Sequence, residues 1–137
     1  MSSINQIPVH VMSPGEMLTG QAEAVLTEIG ELLGRLLESG EAGSIDLRSL
    51  PLSPADRAWL DERLGLGEVE IVMNAGGESA LNETAYAGVW KVVHRDTEGR
   101  VLAELIEVAY VPEIVKPATA DIESAYHHLQ SGLKQIS

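Results

Sequence analysis

The chain has 137 residues, room for one domain of ordinary size, and carries 9 basic against 21 acidic residues for a net charge of −12. It has no cysteine, which excludes thiolate catalysis, disulfides and metal centres held by its own thiolates. The acidic balance disfavours a phosphate backbone as partner, so no nucleic acid is expected, and a 45% hydrophobic fraction is too high for a disordered acidic tail. Phenylalanine is absent, so the core must be aliphatic.

The first fifteen residues lack the basic and continuous apolar stretches of a signal peptide, and no apolar run is long enough for a membrane span. A cytoplasmic protein without membrane contact is expected. Residues 1–12 read as a loosely ordered N-terminal segment of a single domain over 1–137, with His10 in it and no supporting pattern.

Ser13-Pro14-Gly15-Glu16 has the form of a capping box and predicts a helix starting there. Leu18, Ala22, Val25, Ile29, Leu32, Leu33 and Leu36 then form one apolar stripe that Ser39-Gly40 ends. Glu23, Glu28, Glu31 and Glu38 lie mostly off the stripe, as a solvated face or a docking face for a basic partner. Residues 44–48 alternate and read as a short strand. Ser53-Pro54-Ala55-Asp56 opens a short helix with Trp59, Leu60 and Leu64 on its apolar side and Gly65 at its end.

From Glu68 the period changes to two, with Val69, Ile71 and Met73 on one face of a strand. The turn signal at residues 74–77 leads to an extended segment over 79–86. Gly88 precedes the β-branched run Val89 to His94. Asp96-Thr97-Glu98-Gly99 reads as a hairpin connection, and Val101 to Val111 as the return strand, stopped by Pro112. Thr119 begins a last helix in which Ile122, Ala125, Tyr126, Leu129, Leu133 and Ile136 share a face. The order α-β-α-β-β-β-β-α predicts an α+β domain, an antiparallel sheet of four to five strands with helices packed against it.

Chemistry-bearing residues are few. His127 and His128 are adjacent on a helix and point about 100° apart. Glu123 and His127 can share a face, but two ligands do not make a structural metal site. His94 ends a strand. Glu104 and Glu107 occur at odd separation on one strand and face opposite sides, while Glu68 and Glu70 share a face that alternation turns to solvent. No phosphate-binding loop or nucleophile elbow is present. These residues predict no enzyme, no cofactor and no metal.

Four stretches carry a resemblance. They are Leu50-Pro51-Leu52-Ser53-Pro54-Ala55-Asp56, Leu64-Gly65-Leu66-Gly67-Glu68-Val69, Glu83-Thr84-Ala85-Tyr86-Ala87-Gly88-Val89-Trp90 and Glu107-Val108-Ala109-Tyr110-Val111-Pro112-Glu113-Ile114. In this order, over about residues 45–115, the chain resembles the C-terminal conserved domain of the hydrogenase expression/formation protein family (HupH type). Ala87 stands where that family often has proline, and fuller members are longer. The resemblance implies a non-enzymatic assembly chaperone for [NiFe]-hydrogenase maturation. Its partners would be the small-subunit precursor, before export by the twin-arginine route, and possibly other maturation proteins.

Within the matched stretches, Glu83 and Glu107 are carboxylates in otherwise apolar strands, costly unless paired or facing water. Trp90 is either a core residue of a sheet without phenylalanine or an exposed anchor for a partner. Together Glu83, Trp90 and Glu107 are the candidate partner-binding residues. The competing expectations are an acidic self-associating module, a homodimer whose long N-terminal helix offers its stripe to a second copy, and a small-molecule enzyme working in the concavity of the sheet.

Overall fold

The computed structural model describes residues 17–74 and 76–136. Ser13–Glu16, His10 and the segment 1–12 lie outside the described residues. The elements follow the expected order: α1 (Gln21–Ser39), β1 (Gly43–Asp46), α2 (Pro54–Leu64), β2 (Glu70–Asn74), β3 (Glu78–Glu83), β4 (Val89–Arg95), β5 (Val101–Val108) and α3 (Thr119–Ile136). Short 3-10 turns at Leu47–Ser49 and Glu113–Val115 follow β1 and β5. The strands form one five-stranded antiparallel sheet in the order β1-β5-β4-β3-β2. Strands β2 to β5 make a meander, and β1 returns from the N-terminal side to pair with β5.

α1 and α2 cover one face of the sheet. Ala22, Val25, Ile29, Leu32 and Leu36 of α1 pack with Leu60 and Leu64 of α2 and with Ile45, Val89, Ile106 and Val108 of the sheet. Arg57 of α2 reaches Glu104 of β5, and Lys91 Nζ of β4 lies 2.7 Å from Asp61 Oδ1. A smaller cluster of Leu81, Trp90 and Val92 fills the opposite face, with Ile71, Met73, Leu105 and Val115 against it. The expectation that Glu104 and Glu107 face opposite sides of β5 is met: Glu104 meets α2, and Glu107 lies on the other face beside Trp90.

Four boundaries differ from the sequence reading; one is the extended segment read over 79–86, whose strand is Glu78–Glu83. α1 begins at Gln21, with Gly20 in the left-handed region as its N-cap and no side-chain cap. Thr19 is held instead by Asp56. Its amide donates to Asp56 Oδ1 at 2.9 Å and its hydroxyl to Oδ2 at 2.6 Å, which turns the chain before the helix can start. Asp56 also closes the capping box of α2 with Ser53. This concentration of donors, the Thr19 hydroxyl first, lowers the Asp56 carboxyl to about 2. The strand read over 44–48 is shorter, because Leu47–Ser49 turns. The return strand stops at Val108: Ala109 still donates to the carbonyl of its in-register partner Gly88, but Gly88 lies at φ 85° and turns its own amide to the Glu83 carboxylate, so the pairing goes no further.

The hairpin connection after β4 is as expected, with Gly99 at φ 85° and Asp96 accepting from the amides of Glu98 and Arg100.

Two expectations about helices are corrected. The α1 stripe is buried by its own sheet and is not open to a second copy. α3, read as packed against the sheet, has no buried residue at all.

Candidate functional site

The three candidate residues fall on one line across the sheet. Glu83 pairs in register with Trp90, and Trp90 with Glu107, so strands β3, β4 and β5 each contribute one of them to the face away from α1 and α2. Trp90 is buried, and its Nε1 donates to the Ala109 carbonyl at 3.1 Å. Both carboxylates are half-buried. Glu83 accepts from the Gly88 amide at 3.3 Å, and Glu107 Oε2 accepts from the Glu113 amide at 2.8 Å. Each glutamate therefore braces a loop: Glu83 the β3–β4 connection, Glu107 the segment that follows β5.

These two loops adjoin. The Ala109 amide donates to the Gly88 carbonyl at 2.9 Å, and Thr84 Oγ1 accepts from the Tyr86 amide at 3.1 Å. A third stretch locks in from the other side. The Gly67 amide donates to the Glu83 carbonyl at 2.8 Å, and the Ala85 amide to the Leu64 carbonyl at 2.8 Å. A Cβ on Gly67 would sit 2.4 Å from the Thr84 carbonyl oxygen, so this approach of two backbones requires glycine. Three of the four stretches that carry the resemblance thus converge on one end of the sheet.

What the braced loops display is apolar. Tyr86 is 51% exposed and Tyr110 68%, with Val111 and Ile114 also exposed. Glu83, Trp90 and Glu107 lie beneath these displayed residues, which the sequence reading did not single out. The signal was there: Tyr86 and Tyr110 are two of only five aromatics in the chain, and both lie within the matched stretches.

A separate cleft of about 500 Å³ lies between the C-terminal end of α2 and the helix-side face of the sheet, lined by Asp61, Leu64, Leu66, Asn82, Lys91 and Arg95. Its central lysine is already paired with Asp61. His94 Nδ1 lies 2.7 Å from Ser79 Oγ on the opposite face, away from any carboxylate partner among the described residues. No group of three or more histidines, aspartates and glutamates among the described residues is arranged to hold a metal ion. No described helix is long and apolar enough to cross a membrane.

An open five-stranded antiparallel sheet with two helices on one face and interlocked, apolar-tipped loops at one end defines an α+β domain. Its family is specific. Residues 19–136 match the family described as HupH hydrogenase expression protein, C-terminal conserved region, and the chain belongs to that family.

The hydrogenase expression/formation protein HoxQ of Azotobacter vinelandii is 32% identical over 120 residues, covering 85% of this chain and 42% of that protein. The hydrogenase-1 operon protein HyaF of Escherichia coli is 36% identical over 86 residues, 63% of this chain and 30% of its own length. The chain thus spans less than half the length of these relatives. The solved structure of hydrogenase expression protein HupH from Thiobacillus denitrificans superposes with a TM-score of 0.79 at 46% identity, covering 85% of this chain and 98% of that one.

Proposed function

We propose that the chain is a non-enzymatic assembly chaperone in the cytoplasm that holds the precursor of the [NiFe]-hydrogenase small subunit. The observation that carries this reading is the convergence of the matched stretches on one surface. Glu83, Trp90 and Glu107 support it from below, and Tyr86, Tyr110, Val111 and Ile114 face the client. Tyrosines on rigid loops suit such a task, since they offer large contact area at little entropic cost. The net charge of −12 favours encounter with a basic client segment over a Debye length of about 8 Å.

The test is capture of the small-subunit precursor by the Tyr86→Ala/Tyr110→Ala double variant. Both side chains are exposed, so melting temperature should hold while capture falls at least tenfold. Glu83→Ala and Glu107→Ala should also lower capture, by loosening the loops. Undiminished capture by the tyrosine variant would remove the surface. Unchanged hydrogenase activity in a deletion strain would remove the function.

A further inference from the structure

α3 is 18 residues long, about 27 Å at 1.5 Å per residue, and none of its residues is buried. Ile122 is 54% exposed, Tyr126 58%, Leu129 62%, Leu133 50% and Ile136 82%. These five follow one another at steps of four, three, four and three residues, a spacing that fits a two-stranded helical seam. The helix lies within the matched region of the family, residues 19–136, so an element of the domain itself is left with its apolar face open.

We propose that α3 is a self-association helix that pairs antiparallel with α3 of a second copy. In that register Ile122 of one helix faces Leu133 of the other, Tyr126 faces Leu129, and Ile136 faces Thr119. Every large apolar residue of the seam gains a partner. The positions flanking the seam are Glu123, Ala125, Gln130 and Gly132. Antiparallel pairing sets Glu123 against Gln130 and Ala125 against Gly132, so no like charges meet although each chain carries −12.

The same flanks argue against a basic client as occupant, because a single carboxylate borders the seam. Antiparallel pairing also places the two acidic bodies at opposite ends of a rod about 27 Å long, well beyond the Debye length of about 8 Å. A seam this short falls at the small end of stable interfaces, so the dimer should be a weak one that forms as concentration rises.

The test is sedimentation equilibrium of the full chain from about 1 to 500 µM. A monomer–dimer equilibrium is expected. Leu129→Glu should abolish it, whereas His128→Glu, which adds the same charge off the seam, should keep it. Far-UV circular dichroism checks that both variants retain their helix. Orientation is read from the cysteine-free background. A mixture of Ala125→Cys and Gly132→Cys chains should cross-link to each other, and Ala125→Cys alone should not.

Three results would overturn the proposal. One is a monomer at every concentration whose Leu129→Glu variant exposes residues 1–16 to protease, which would mean the chain covers its own helix. Another is a monomer in which Leu129→Glu impairs only client capture. The third is a dimer that His128→Glu and Leu129→Glu weaken equally.

Discussion

α1 and α3 carry the same pattern into opposite circumstances. The buried residues of α1 are Ala22, Val25, Ile29, Leu32 and Leu36, spaced three, four, three and four apart; the exposed seam of α3 repeats that alternation. One is consumed by the sheet beneath it, and the other stays exposed along its whole length. An apolar stripe states that a helix face will be covered. It does not state whether the cover comes from the same chain. That is decided by the connections: β1 follows α1 at once and lays it on β5, whereas the segment after β5 crosses the opposite face and gives the smaller cluster only Val115 before α3 begins.

The sharpest way to break this comparison is hydrogen exchange on dilute protein. Amides of α1 should open with the global free energy of unfolding, of order 5–15 kcal/mol, while those of α3 should exchange with little protection, because a lone helix of this length is marginal in water. Strong protection of α3 at low concentration would mean that it is already covered.

A matched pair of truncations comes next. Ile29→Ala removes a buried side chain and should cost about 2–4 kcal/mol, seen as a large drop in melting temperature. Leu129→Ala at the same dilution should cost less than about 0.5 kcal/mol, as an exposed position does.

The smallest effect sharpens how α1 is anchored. Asp56 is ionised in the folded protein down to about 2, against 3.8 for an ordinary aspartate. A depressed carboxyl stabilises the fold fully above its unfolded value, and that contribution is lost as pH falls from about 4 through 2. Asp56→Ala should lower the melting temperature by roughly 5–10 °C at neutral pH, with the gap to the unmodified chain closing in that acid window. An unchanged gap at pH 2 would show that the Thr19 tie does not depend on the charge.

The sheet was legible in the sequence because its signals are local. Val69, Ile71 and Met73 alternate, Gly99 marks a turn, and β-branched residues fill β4. The start of α1 was not legible, because Asp56 decides it from 37 residues away. The site was half legible. Glu83, Trp90 and Glu107 were recognisable as residues, but their alignment follows from strand register, which the turns set and composition does not record. The face-sharing of Ile122 to Ile136 was equally visible, and its lack of a cover was not, since an uncovered stripe and a covered one read alike.

The sheet order carries a consequence for how the molecule assembles. β2 to β5 join by successive hairpins, so each pairing closes a short loop, whereas Gly43 must find Val108 across the whole meander. Local pairings close before distant ones because their entropic cost is smaller. The meander therefore forms as a nucleus, and α1 with β1 docks last, leaving the stripe of Val25, Ile29 and Leu32 open in the interval. A nascent domain of this kind is sticky at α1 until its fifth strand is complete. Weakening α1 should then accelerate unfolding with little change in the folding rate, and weakening β4 should slow folding itself.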